Sequence, residues 1–412
     1  MQNRIVKKLL LLTPIVISVI GFKLFAQSEN KEPVELKPLP EHTEISQFVS
    51  TVLERNHYQP IKLNDETGKK IALKLIDDFD PGKFYFIQSD VDGLLAQSNE
   101  IDNYFSEGNF SSLFNFYNLF SQRILERVKY SYTLLNDSFD YSAKDSFLIK
   151  REETGFAKSV EELNQIWFKK IKYEALSLQA GGKDWKNTSD ILKSRYQRWE
   201  TQLSKSKPWD AFSLIMSGLT GITDPHTEYY SPRESDDFNI QMSLSLEGIG
   251  ATLQTDGEYT KVRDIVKGGP ADKSKQIKIG DRITAVGQGK DSALVDVVGW
   301  RIDEVVSLIR GPKGTFVKLQ ILRDGAAPSS PQEIIIIKRD KIKLEDQAAK
   351  GEIRKIKIGK KEEKIGVITL PTFYMDFEGF RKKDPDYKST TRDVQKLIEG
   401  FKKEKVKGIV LD

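Results

Sequence analysis

The chain has 412 residues, of which 38% are hydrophobic and 30% are charged, and 64 basic against 60 acidic side chains leave a net charge of +4. This composition is typical of a globular protein with about three domains, and it excludes a disordered polymer. The absence of cysteine from the sequence excludes disulfides, thiol nucleophiles, thiolate metal sites and lipid attachment at a cysteine.

Residues 1–26 have the three-part layout of a secretory signal peptide. A basic head precedes the apolar run Leu9–Gly21, and Ala26 offers a small residue for cleavage. The run is too short to span a bilayer comfortably, since about 20 apolar residues are needed. Lys23 and Leu24 fit the cleavage pattern poorly, so an uncleaved inner-membrane anchor is the alternative. Either way, we expect the bulk of the chain to lie outside the cytoplasm.

A proline-rich linker is expected over residues 27–40, followed by a helical N-terminal domain over residues 41–235. Asn187–Asp190 supplies side chains that could cap a helix beginning at Ile191. Two segments carry an apolar stripe at steps of three and four residues, which predicts amphipathic helices. The stripes are Leu113, Phe116, Phe120, Ile124, Val128, Tyr132 and Leu135, and Val160, Leu163, Trp167, Ile171, Ala175 and Leu178. At helical spacing, such aromatic side chains are interpreted as core rather than as a ligand pocket.

The periodicity changes to that of short strands in a third domain, expected over residues 236–345. Glycine-containing turns separate the segments, and Ile302–Ile309 is the one strong helix, closed by Gly311-Pro312. The predicted strands are Ile249–Leu253, Tyr259–Ile265, Asp281–Val286, Phe316–Arg323 and Glu333–Lys338.

A small sheet with one helix beside it can bind a peptide by strand addition. Closely spaced glycines just before a strand let successive backbone N–H groups converge on an anion such as a terminal carboxylate. The predicted peptide-binding residues are Leu246, Gly248, Ile249, Gly250, Ala251, Thr252 and Leu253, with Val305, Val306 and Ile309 forming the pocket for the terminal side chain. The alternative is that the two glycines only make a tight turn and that the helix face is core.

Residues 346–412 read as strand, helix and strand, at Ile365–Leu370, Thr390–Lys403 and Gly408–Asp412. This order is that of the opening of an α/β sheet, whose functional residues usually follow the carboxyl ends of its strands. We therefore expect an incomplete domain whose chemistry lies beyond residue 412.

Several motifs in fixed order resemble those of the bacterial C-terminal processing peptidases, in their tail-specific protease branch. Those similar to the PDZ domain of this family are Leu246–Ala251, Gly268–Ala271, Ile279–Asp281 and Leu308–Thr315. Those similar to the branch are Asp224–Thr227 with Ser231-Pro232 and Phe238-Asn239, Leu370-Pro371 with Phe373-Tyr374, and Gly408–Asp412. The resemblance implies a periplasmic serine endopeptidase that engages apolar C-termini and cleaves with a Ser-Lys dyad. Both dyad residues would lie beyond residue 412, so the 412-residue chain is expected to be inactive.

The expected fold is thus multidomain α+β. It comprises a helical N-terminal domain, a PDZ-like β-sandwich or barrel with a groove helix, and the start of an α/β peptidase core. The expected partners are polypeptides with apolar free C-termini, together with an adaptor or lipoprotein if one exists. No cofactor, metal or nucleic acid is expected, and the membrane is contacted only through the targeting segment. Three scattered histidines do not suit a metal site, and the lysines of Lys338–Lys364 alternate with acidic residues.

Local motifs that imitate other active sites are interpreted as chance matches. Ser204–Lys207 has Ser-x-x-Lys spacing but lacks the companion motifs of penicillin-recognising enzymes. Lys313-Gly-Thr315 is assigned to a turn. Asp224–Thr227 is assigned to a turn between domains rather than to a triad through His226, which would need Ser231 or another hydroxyl as the nucleophile. Gly248-x-Gly250 lacks the third glycine of a dinucleotide site.

The alternative function is a non-catalytic adaptor that binds C-termini. The strand–helix–strand segment Ile365–Asp412 argues against it, because such a small sheet would leave apolar faces and an unpaired edge exposed.

Overall fold

The computed structural model describes residues 34–143, 145–343 and 347–412. The predicted signal peptide and the first part of the predicted linker lie outside these ranges. The chain divides after Ala211 into two compact units. Among the described helices, none has the length and apolar character needed to cross a bilayer.

The first unit is helical, as predicted. Its helices are α1 (Pro40–Arg55), α2 (Asp65–Phe79), α3 (Gln88–Leu95), α4 (Ile101–Glu107), α5 (Ser111–Leu134), α6 (Val160–Ala180) and α7 (Trp185–Ser204), with a 3-10 turn at Ser98–Glu100. The helix α8 (Pro208–Thr220) follows. Ahead of α1, Leu36 is buried, and its backbone N–H and carbonyl both bond to the Asn118 side chain.

The two predicted apolar stripes lie on α5 and α6 and contribute to the core. Trp167 and Tyr196 are fully buried between α5, α6 and α7, and the Trp167 indole donates to the Phe84 carbonyl at 2.5 Å. The predicted cap at Asn187–Asp190 is wrong. The helix α7 begins earlier because Asp184 accepts a hydrogen bond from the Asn187 N–H at 2.8 Å.

In the second unit, the helix α9 (Pro232–Ser243) precedes a set of short strands. The elements that follow are β1 (Ser245–Gly248), β2 (Ala251–Asp256), β3 (Tyr259–Ile265), α10 (Pro270–Ser274), β4 (Arg282–Gln288), β5 (Val295–Asp296), α11 (Ile302–Ile309), β6 (Phe316–Leu322), β7 (Glu333–Lys338) and β8 (Asp340–Lys343). One sheet has the order β2-β3-β4-β6-β7, with β5 paired to β4, and β1 pairs separately with β8.

One face of this sheet forms the core together with α11. Val262, Ile283 and Val317 lie on the strands and are fully buried, and Val305 of α11 packs into the same cluster. The helix α11 and the strands β3 and β7 have the predicted bounds. The predicted first strand is shifted, because its residues Ile249 and Gly250 precede β2.

The last elements are β9 (Lys350–Ile358), β10 (Lys361–Thr369), α12 (Phe377–Arg381), α13 (Thr390–Lys403) and β11 (Gly408–Leu411). The strands β10 and β11 are parallel and α13 connects them, which confirms the predicted strand–helix–strand unit. The additional strand β9 pairs antiparallel with β10. The ring of Phe401 on α13 lies directly against Gly366, where an added Cβ would come within 2.4 Å of the ring.

Candidate peptide-binding site

The strand β2 is an edge strand in the described part of the chain, since the sheet order gives it only β3 as a neighbour. The helix α11 lies beside β2. Ala251 and Leu253 turn towards the core, while Thr252 between them is exposed. The outer edge of β2 therefore has backbone N–H and C=O groups available to an incoming strand.

The glycine-rich segment before β2 is shorter as a loop than predicted, because Leu246 and Gly248 belong to β1. They pair across the ladder with Ile342 and Asp340 of β8. The strand β1 could not be predicted, because its four residues have mixed polarity and its partner β8 lies far along the chain. Only Ile249 and Gly250 remain between the two strands.

The carbonyl groups of this short loop are held by other backbone groups. The Ile249 carbonyl accepts from the Ala271 N–H at 2.8 Å, and the Gly250 carbonyl accepts from the Val266 N–H at 2.9 Å. Gly250 has a φ of 75°, a conformation that favours glycine. Within residues 34–143, 145–343 and 347–412, the N–H groups of Ile249 and Gly250 have no acceptor. Two adjacent donors in a fixed turn suit a carboxylate.

The three predicted pocket residues of α11 do not share one surface. Val305 and Ile309 are buried in the core of the sheet. Val306 is half-buried and instead lines a cleft of about 1050 Å³. Leu246 lines the same cleft, which α9, β1, α11 and α12 enclose. The pocket for a terminal side chain stays a prediction.

Arg339 is a residue of this site that the sequence did not reveal. Its side chain is buried, and its Nε and Nη2 groups donate to the carbonyls of Ile309 and Leu308 at 2.8 and 2.9 Å. Further donation from Nη1 reaches the Phe316 carbonyl at 3.0 Å. Burial lowers the pKa of the Arg339 guanidinium. Arg339 therefore fixes the last turn of α11 to the sheet, a role that depends on tertiary contacts alone.

The residues that imitate other active sites have structural roles. The Ser231 hydroxyl donates to Glu234 Oε2 at 2.6 Å and caps α9, and the Ser204 hydroxyl donates to the Thr201 carbonyl at 2.9 Å. Asp224 Oδ1 accepts from the His226 N–H at 2.7 Å, as expected for a turn. The described residues contain no group of three or more histidine or acidic side chains placed to hold a metal ion.

Two family models match the chain. A tail-specific protease N-terminal domain matches residues 49–233, and a PDZ domain matches residues 237–322.

Curated relatives match over longer stretches. The tail-specific protease of Haemophilus influenzae is 33% identical over 393 residues, which cover 94% of this chain and 53% of that protein. The carboxy-terminal processing protease CtpA of Bacillus subtilis is 32% identical over 199 residues, which cover 48% of this chain and 35% of that protein. The chain thus spans about half, or less, of the length of these relatives.

Solved structures also match. The PDZ domain of the carboxy-terminal protease from Vibrio cholerae, crystallised in complex with peptide, is 54% identical and covers 24% of this chain and 100% of its own, with a TM-score of 0.23. The photosystem II D1 C-terminal processing protease is 20% identical and covers 59% of each chain, with a TM-score of 0.25.

Proposed function

Because this chain belongs to the tail-specific protease family, we propose that its PDZ domain captures polypeptides by their free, apolar C-termini and presents them to a serine endopeptidase. The observation that carries the proposal is the position of the loop at Ile249 and Gly250. Its two N–H groups, which find no acceptor among the described residues, stand at the start of β2, whose outer edge is unpaired in the described sheet.

In the proposed complex, the peptide adds to β2 as a further strand. Its backbone bonds to the edge between Ala251 and Leu253, and its terminal carboxylate accepts from the N–H groups of Ile249 and Gly250. Charge-assisted bonds of this kind are roughly twice as strong as those between neutral groups. A peptide that lacks the free carboxylate would therefore bind less well.

The proposal includes a domain organisation in which residues 41–235 form the helical domain, residues 236–345 the PDZ domain and residues 346–412 the start of the peptidase core. A signal peptide over residues 1–26 would direct the protein to the periplasm. Cleavage would use a Ser-Lys dyad beyond residue 412, in which a neutral lysine activates the serine. An adaptor or lipoprotein partner belongs to the same proposal.

The chain of 412 residues is proposed to bind such tails without hydrolysing them. The hydroxyls of Ser204 and Ser231 are engaged in helix-terminal hydrogen bonds. Purified chain should leave a denatured substrate with an apolar tail intact. Cleavage that disappears in Ser204→Ala or Ser231→Ala would contradict this part of the proposal.

Calorimetric titration with one apolar-tailed peptide, in its acid and amide forms, tests the binding function. Hydrogen bonds to a charged group are worth about 1.5–3 kcal/mol, so amidation should weaken binding by roughly tenfold to a hundredfold. Equal affinities for the two forms would rule out capture of a carboxylate.

A further inference from the structure

The helix α9 is tied to α11 by two ion pairs of opposite polarity. Arg233 of α9 pairs with Asp303 in the first turn of α11. One turn further along α9, Asp237 accepts from Nη1 of Arg310, the residue that follows α11, at 2.5 Å. Both pairs lie in the cleft that Leu246 and Val306 also line. The Asp237 carboxylate is therefore already paired with Arg310, the cation at the carboxyl end of α11.

The backbone of Arg310 lies next to Gly248, the residue before the candidate carboxylate loop at Ile249 and Gly250. Its Cα and Cγ atoms lie 3.8 and 3.9 Å from the position that a Cβ on Gly248 would take. The backbone that follows is held to β1, since the Lys313 N–H donates to Glu247 Oε2 at 2.9 Å. The backbone and the first part of the Arg310 side chain therefore lie beside Gly248, which leads into Ile249 and Gly250.

The pair between Arg310 and Asp237 is suited to exchange. Its two side chains are 37% and 46% exposed, and ion pairs at such surfaces contribute little to stability. A peptide C-terminus carries the same chemical group as the Asp237 side chain, and a guanidinium can bind a carboxylate through two parallel hydrogen bonds. A terminal carboxylate that is also held by two backbone N–H groups would compete well for Arg310.

We propose that Arg310 is the side-chain cation that recognises the terminal carboxylate of a bound peptide, and that Asp237 occupies Arg310 as an internal mimic until the peptide displaces it. This inference rests on the proposed function. Peptide binding then breaks the ion pair between Asp237 of α9 and Arg310, while the Arg233–Asp303 pair remains. Arg310 thereby adds selectivity for free C-termini. Asp237 competes with the peptide carboxylate for Arg310 and so lowers the affinity for the peptide.

Titration of variants of the 412-residue chain with the acid and amide forms of one apolar-tailed peptide tests this exchange. Asp237→Asn removes the competing charge and should raise the affinity for the acid by about threefold to tenfold, with the amide unchanged. Arg310→Gln should lower the affinity for the acid by about tenfold and leave the amide unchanged. Arg310→Lys should restore part of the loss, because it keeps a cation.

Arg233→Gln is the matched control, since it breaks the other ion pair of the same helix and leaves Arg310 with Asp237. It should bind both peptides as the unaltered chain does. Circular dichroism on each variant identifies any loss of fold, and Asp237→Asn tests the exchange even where Arg310→Gln is unfolded.

The outcomes separate this inference from the proposed function. Preference for the acid peptide in the unaltered chain, with the same affinities in Asp237→Asn and Arg310→Gln, overturns the exchange and leaves the proposed function standing. An equal gain for acid and amide in Asp237→Asn also overturns it, because the gain would then come from loosening α9. Failure of the unaltered chain to bind either peptide overturns both.

Discussion

The Nε–H of Arg339 donates to the carbonyl oxygen of Ile309 at 2.8 Å, so a buried side chain that follows β7 holds the last turn of α11. The same guanidinium packs against Gly311, where an added Cβ would lie 3.0 Å from Cζ. The carbonyls of Leu308 and Ile309 at the helix terminus are thus satisfied by a side chain that is distant in sequence.

Replacing Arg339 with methionine should destabilise the second unit by about 3 kcal/mol, because the carbonyls of Leu308 and Ile309 would lose charged donors in a buried setting. Peptide affinity should fall as well, since α11 borders β2. Urea unfolding and peptide titration measure the two effects. Arg354→Met is the control, because Arg354 is exposed and pairs with Glu352 on the same exposed strand. Equal unfolding free energies for the two variants would contradict this role of Arg339.

Two glycines with similar backbone conformations allow an effect of backbone strain on stability to be distinguished from an effect on peptide binding. Gly250 has a φ of 75° beside the candidate loop, and Gly257 has a φ of 61° in the turn between β2 and β3, where a Cβ would meet no neighbour within 4 Å. Alanine at either position should cost about 1 kcal/mol of stability, because the left-handed conformation disfavours a Cβ.

Only Gly250→Ala should also weaken binding of the acid peptide, since relief of the strain turns the donors of Ile249 and Gly250 away. Thermal unfolding and calorimetric titration of the two variants provide the comparison. The loop would have no special part in recognition if Gly257→Ala lost as much affinity as Gly250→Ala.

Strong periodicity and clear end signals explain which elements could be predicted from sequence. The helix α13 and the strand β7 were predicted to the residue, the first because of its apolar stripe and the second because of its isoleucine run. Short elements that depend on distant partners were missed, as the pairing of β1 with β8 demonstrates.

The candidate site shows the same limit at the level of side chains. The predicted loop could be placed from its glycines, but the packing of α11 could not. Apolar residues on adjacent faces of one turn, such as Val305 and Val306, do not reveal which face meets the sheet. Arg339 carried no local signal, since its partners lie on α11, in the turn after that helix and on β6.

The stability of the first unit should depend on pH through His42. This side chain is fully buried, its Nδ1 accepts from the Leu39 N–H at 3.1 Å, and its ring packs against Trp209. Burial lowers the pKa of His42 to about 4 from its usual 6.5, although nearby Glu41 raises it slightly. Between these two values the unfolded chain binds a proton that the folded chain does not bind, so stability should fall as the pH decreases from about 6.5 to 4.

His42→Gln is the comparison, because glutamine at this position can still accept from the residue that precedes the helix and does not titrate. The difference in unfolding free energy between the two proteins should change by up to about 3 kcal/mol between pH 7 and pH 4. Urea unfolding at several pH values measures it. Parallel pH profiles would show that His42 titrates alike in the folded and unfolded chains.

Amide chemical-shift mapping of the labelled chain, during titration with an apolar-tailed peptide, tests most directly whether the loop and β2 form the peptide site. With the acid form, the largest changes are predicted at the N–H groups of Ile249 and Gly250 and along β2, and amidation of the peptide should diminish those at the loop. The strand β7, at the opposite edge of the sheet, serves as the internal control and should not respond. Changes at β7 instead of β2, or identical loop shifts with the acid and the amide, would contradict the account.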